Sequence, residues 1–199
     1  MTNNHSRSKE PVLRTAAAAL AVAGLGAAIA LPAAAHADSD GKSKGRVTAP
    51  RLAERVGPSH HLTKVEGGFS KGDSIRIDCK LPGSAVDDNR AWYHVSSDYW
   101  VSGRHVRVTE GHPRRCERGS ARGTTTADVN VRKAPTTVDG KLGRIDAGVP
   151  TVDVFCKVSG GNVGNNTFWY ATGWGNGSRT GYVHSAYVDV QGKVKFCGA

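Results

Sequence analysis

Beyond residue 37 this 199-residue chain has no long apolar run, and between residues 47 and 116 no segment keeps a helical apolar period for three turns. The first absence argues against a later membrane-spanning helix, the second for strands. Cysteine is scarce, at four, and no two cysteines have the C-x-x-C spacing, which argues against zinc. Acidic residues are few as well: 17 Asp and Glu against 27 Lys and Arg leave a net charge of +10. Such a balance favours polyanionic or neutral partners over strongly basic ones.

What is present begins with a leader. Arg7, Lys9 and Arg14 precede an apolar stretch over residues 16–31, then Pro32 and the small-residue end Ala35-His36-Ala37. The stretch is rich in alanine and glycine and shorter than the ~20 residues a span needs, so we expect a cleaved signal peptide over residues 1–37. No twin-arginine pair is present, which favours the general export route. Residues 38–199 would then carry 24 Lys and Arg against 16 Asp and Glu. We expect a secreted product, extracellular or wall-associated, with no membrane span.

The chain then repeats itself. Cys79-Lys80 and Trp92-Tyr93 recur as Cys156-Lys157 and Trp169-Tyr170 at a fixed offset of 77 residues. The same offset pairs Arg55 with Arg132, Pro58 with Pro135 and Lys64 with Lys141. Unrelated landmarks holding one register mark a tandem duplication. The organisation expected is a flexible lead-in over 38–46, one domain over 47–116, a linker over 117–125 and a second domain over 126–199. Outside the cell, four cysteines form two disulfides more readily than a metal site. Of three possible pairings, the repeat favours Cys79–Cys116 and Cys156–Cys197, one inside each copy.

Short alternating runs at 52–56, 74–81, 91–95, 99–101 and 105–108, separated by Gly, Pro, Asp and Asn, describe strands of a small sandwich or barrel. A period of two places Ile75, Ile77 and Cys79 on one face. It joins Tyr93 to Val95 as core and sets Trp92, like Trp169, on the outer side. The second copy carries about five extra residues in the segment 171–178, which is expected to be a hairpin loop with Trp174 at its tip. Six arginines against two glutamates lie between Arg104 and Arg122, a stretch that reads as a solvated linker or as a polyanion contact.

These residues resemble the bacterial SH3-like (SH3b) domain, in the disulfide-containing version of small secreted proteins. The second copy carries the resemblance with Val129-Asn130-Val131-Arg132, Pro135, Trp169-Tyr170, Gly181-Tyr182-Val183 and Ser185-Ala186-Tyr187-Val188. The first carries it more weakly, through Leu52, Arg55, Gly57-Pro58-Ser59, Trp92-Tyr93-His94-Val95 and Trp100-Val101. There Ala53 replaces the asparagine and His105 the last tyrosine. The resemblance implies an all-β chain of two small SH3-like barrels in tandem. It further implies attachment to peptidoglycan, with stem or bridge peptides held in a groove beside the first long loop.

No residue set calls for catalysis. Adjacent His60-His61 are poorly placed to chelate one ion together, Asp87-Asp88 reads as a turn, and Gly173-Trp174-Gly175-Asn176-Gly177 leads into a hairpin rather than a helix. Asn165-Asn166-Thr167 and Asn176-Gly177-Ser178 read as loop polarity. Ligand-binding candidates are Trp92, Trp100, Trp169, Trp174, Tyr182 and Tyr187, with Asn130 and Arg132 as groove lining. The expectation is a monomeric, non-catalytic binding protein without cofactor or metal. Its partner would be peptidoglycan or an anionic wall polymer, not nucleic acid. The alternative is a module or inhibitor that binds another exported protein.

Overall fold

Seven strands form from the first copy. They are β1 (Ser43–Val47), β2 (Arg51–Leu52), β3 (Phe69–Ser70), β4 (Ser74–Val86), β5 (Asn89–Val95), β6 (Trp100–Ser102) and β7 (Val106–Glu110). Seven more form from the second: β8 (Ala121–Thr125), β9 (Val129–Arg132), β10 (Lys141–Ile145), β11 (Val152–Val163), β12 (Asn166–Trp174), β13 (Arg179–His184) and β14 (Val188–Val190). The computed structural model describes residues 42–116, 121–149, 152–174 and 179–199. The expected signal peptide over 1–37 therefore lies outside the described residues. No described helix is long and apolar enough to cross a membrane.

The duplication appears as one strand order made twice. The first sheet runs β6-β5-β4-β1-β7, and the second runs β13-β12-β11-β8-β14 with β10 and β9 added beyond β13. In the first copy the corresponding β2–β3 pair stands apart, tied to β6 through a bridge between Arg55 and Trp100. The chain is all-β, and each copy is a small barrel-like module that carries its own disulfide, Cys79–Cys116 and Cys156–Cys197. Each bridge clips a tail beside a long strand. Lys80 N–H donates to Arg114 O at 2.8 Å and Cys116 N–H to Lys80 O at 3.1 Å; Lys157 with Lys195, and Cys197 with Lys157, repeat this at 2.9 and 3.0 Å.

Two of the expected boundaries shift. Ser43–Val47 is a central strand, so residues 43–46 are not a flexible lead-in, and Ala121–Thr125 is its counterpart rather than linker. Both strands look polar because, apart from Val47, their inward positions hold small residues. A Cβ on Gly45 would lie 2.5 Å from Val106 Cγ1, and one on Gly123 would lie 2.6 Å from Val188 Cγ1. With Lys44 and Arg46 pointing to solvent, no apolar alternation survives for a sequence reading to find.

The outward placement of Trp92 and Trp169 is also corrected: they are 1% and 2% exposed. The cause is a β-bulge. Ile77 faces Val95 and Cys79 faces His94, so Asp78 is an extra residue on β4 and the alternation of β5 slips against it. His94 and Val95, neighbours in sequence, are both buried, and Trp92 turns inward opposite Leu81. Strands β11 and β12 repeat the slip between Val154 and Cys156. Tyr93, expected in the core, is half-buried and packs against the first core, as Tyr170 does against the second, and burial raises both phenols above their usual range.

Three cores result. One belongs to the first copy, around Ile75, Ile77, Val95 and Val101; one belongs to the second, around Val131, Val154 and Val183. The third is shared. It gathers Cys79, Leu81, Trp92, Trp100 and Cys116 with Cys156, Val158, Trp169, Tyr182 and Cys197. The copies are thus one compact unit rather than separate beads. Tyr182 Oη donates to Pro82 O at 2.5 Å, and Ser59 Oγ donates to Asp139 Oδ2 at 3.0 Å across the same junction. Gly57 is required there, since a Cβ would lie 2.1 Å from Ser159 O.

The long hairpins end in two-residue turns with both central residues left-handed: Asp87 and Asp88 at φ 46° and 63°, Gly164 and Asn165 at φ 56° and 66°. Such turns favour Asn, Asp or Gly at the first central position and Gly at the second. Asp88→Gly is expected to raise stability by about 0.5–1 kcal/mol, because it removes a strained left-handed side chain. Chemical denaturation checks this; a loss of stability would mean that the Asp88 side chain supports the turn.

Candidate functional site

Beside the first long loop of each copy lies a groove, of about 210 Å³ in the second and about 200 Å³ in the first. Asp128, Val129, Asn130, Arg132, Thr137, Val163 and Trp169 line the second. Moved back by 77, they become Arg51, Leu52, Ala53, Arg55, His60, Val86 and Trp92, all of which line the first. His184 and Tyr187, beyond the insertion, map at 82 onto Ser102 and His105, which complete the match. Lys64 joins the first groove as well.

The paired grooves share one scaffold. The indole N–H of Trp169 donates to Gly161 O at 2.8 Å, and that of Trp92 donates to Ser84 O at 2.9 Å. The indole is therefore floor, with its polar edge satisfied by the barrel. Gly160 and Gly83 make room for it, since a Cβ would lie 2.4 and 2.5 Å from the ring's Cδ1. This glycine pair keeps the same offset, and a fuller comparison of the two copies in sequence would have found it. Arg132 Nη1 donates to Thr137 O at 2.9 Å and Asp139 O at 3.0 Å, while Arg55 Nη1 donates to Leu62 O at 2.5 Å. The repeated arginine holds the loop that forms the groove wall.

Of the sequence candidates, Asn130, Arg132, Trp169 and Tyr187 meet in the second groove. Trp92 takes the equivalent place in the first. Tyr187, 37% exposed, gives the second groove its accessible aromatic edge. His184, missed in the sequence, links them: its ring lies edge-on to Trp169 at 5.0 Å and 5.8 Å from Tyr187. Its Nδ1 accepts from Ala186 N–H at 3.3 Å and its Nε2 faces Asn166 O at 3.0 Å, which assigns the Nε2–H tautomer. Both ring nitrogens are thereby engaged.

The remaining candidates lie elsewhere. Trp100 and Tyr182 are buried in the shared core. Trp100 stacks edge-on against His94 at 5.1 Å and borders a cleft of about 370 Å³ between the copies. Trp174 is not at a loop tip. It closes β12 opposite Arg179 and covers Gly143, so it seals the second core; residues 175–178 lie outside the described residues. The rings of His60 and His61 do come together, 4.0 Å apart and exposed, and no cluster of three or more His, Cys, Asp or Glu that could hold a metal ion occurs among the described residues. Desolvation lowers the His60 pKa, helped by His61 and opposed by Asp139.

No family model matches this chain, and no curated protein matches it. Among solved structures, NlpC2 and NlpC1 from Trichomonas vaginalis are similar to it at TM-scores of 0.28 and 0.29, each with 12% sequence identity. The matches cover 76% of this chain and 48% and 46% of theirs, so the chain spans about half the length of either protein. A likeness this distant carries no argument about function.

Proposed function

We propose that the chain is a secreted, non-catalytic wall-binding protein of SH3b type, whose second groove holds a short peptide of peptidoglycan. The observation that carries this reading is the paired groove: both copies build the same pocket from corresponding positions. In the second copy, Asn130 and Tyr187 offer an amide and a phenol at the mouth, above an indole floor. A peptide takes its orientation from such polar groups and its affinity from the apolar floor. The engagement of both His184 nitrogens speaks for binding rather than base catalysis. Two linked weak sites would hold a repetitive polymer by avidity.

Retention on purified peptidoglycan sacculi tests the reading. Asn130→Ala with Tyr187→Ser is expected to lower retention at least tenfold while leaving the melting curve in place, because neither side chain belongs to a core. Unchanged retention in this variant, or no sacculus binding at low salt, would overturn it. One feature favours the second reading, docking to another exported protein. Phe168 and Phe196, 40% and 45% exposed, flank Lys157, whose Nζ lies 5.2 and 4.6 Å from their ring centres. Loss of retention on Phe168→Ser but not on Asn130→Ala would favour it.

A further inference from the structure

The two grooves share a scaffold but not a charge. The second is lined by one carboxylate, Asp128, and one guanidinium, Arg132, with Asp128 itself paired to Arg144. At the position of Asp128 the first groove has Arg51, at that of Thr137 it has His60, and at that of Tyr187 it has His105. With Arg55 and Lys64 added, two guanidiniums, one ammonium and two imidazoles surround a single pocket, and no described carboxylate lines it. Among the described residues, neither Arg51 nor Lys64 has an ion-pair partner.

We propose that the groove of the first copy is an oxyanion site, taking a phosphate or carboxylate group of the ligand. The inference rests on the reading of the paired grooves as binding surfaces, and it assigns them different ligands. Three like charges gathered at one mouth repel each other, and an arriving anion relieves that repulsion while gaining charge-assisted hydrogen bonds. Arg51 supplies a planar donor fork, whereas Arg55 is already turned to Leu62 O and contributes mainly its charge. Partial burial already holds Arg55 below its usual range, an unfavourable setting that a bound anion would offset. Ala53 in place of Asn130, and His105 in place of Tyr187, remove the amide and phenol that suit an uncharged peptide. The Asp139 charge felt at His60 comes from the second copy, where that carboxylate accepts from Ser59 Oγ.

Each groove carries its own reporter, since each has one indole N–H at its floor. The experiment is a nitrogen–proton NMR titration of the oxidised chain at pH 7 and low ionic strength. Inorganic phosphate, glycerol phosphate and acetate serve as separate probes. The expected result is saturable movement of the Trp92 indole and Ala53 amide signals at concentrations that leave Trp169 and Asn130 in place. The stronger probe identifies phosphate or carboxylate as the natural group. Arg51→Asp should weaken binding at least tenfold and Lys64→Gln by a smaller factor; both residues are exposed, so the fold tolerates either change. Phosphate should also raise the His60 titration midpoint. Equal movement in both grooves, shifts that never saturate, or indifference to both substitutions would overturn the proposal. Sacculus binding that depends on Asn130 and Tyr187 with no anion effect at Trp92 would remove this inference alone; the converse would remove the peptide reading alone.

Discussion

Trp169→Ala should destabilise the protein by about 3–5 kcal/mol, and Trp92→Ala should do the same in the other copy. Each side chain is almost wholly buried in the shared core, so truncation removes a large apolar contact and leaves a cavity. It also leaves a carbonyl, Gly161 O or Ser84 O, without its indole donor. Trp→Phe separates the two losses: it keeps most of the ring and should cost about 1–3 kcal/mol for the buried acceptor left unpaired. Urea denaturation followed by circular dichroism reads both. A loss under about 1 kcal/mol accompanied by lost wall binding would show the indoles to be ligand platforms. Because these residues hold the shared core, binding defects in their alanine variants report folding, which is why Asn130 and Tyr187 are the substitutions that test the groove.

Removing one disulfide by paired Cys→Ala substitution should cost about 4 kcal/mol in the chain-entropy model, as the bridged cysteines are separated by 37 and 41 residues. The two losses should not be independent. Cys156 Sγ lies 3.6 Å from Cys116 O, and all four cysteines belong to the shared core. We therefore expect a double-mutant coupling of about 0.5–3 kcal/mol between the bridges. One cooperative transition should appear by both tryptophan fluorescence and circular dichroism. Two separate transitions, one of them untouched when the other copy's bridge is removed, would show that the copies fold alone and that the shared core contributes little.

Much of this organisation could be read from the chain. The 77-residue offset aligns Arg55 with Arg132, and each ties down its own first long loop. The cysteine pairing followed from the same duplication. Strict alternation places Trp92 outward because it has no means of registering one extra residue on the neighbouring strand. Asp78 is that residue, and its effect depends on β4 lying beside β5. The polar strand Ser43–Val47 escaped for a related reason: its central inward position is glycine because Val106 and Ile77 already fill the space above Gly45.

The sequence by itself determined a duplicated all-strand module and its two sulfur bridges, since these depend on local pattern and on spacing along one chain. Tertiary structure alone decided that Trp92 and Trp169 turn inward, that the copies share a core, and that Arg51, Arg55 and Lys64 converge on one mouth. Those outcomes turn on strand register and on packing between distant segments, where a single bulge or the approach of a second sheet changes what a side chain faces.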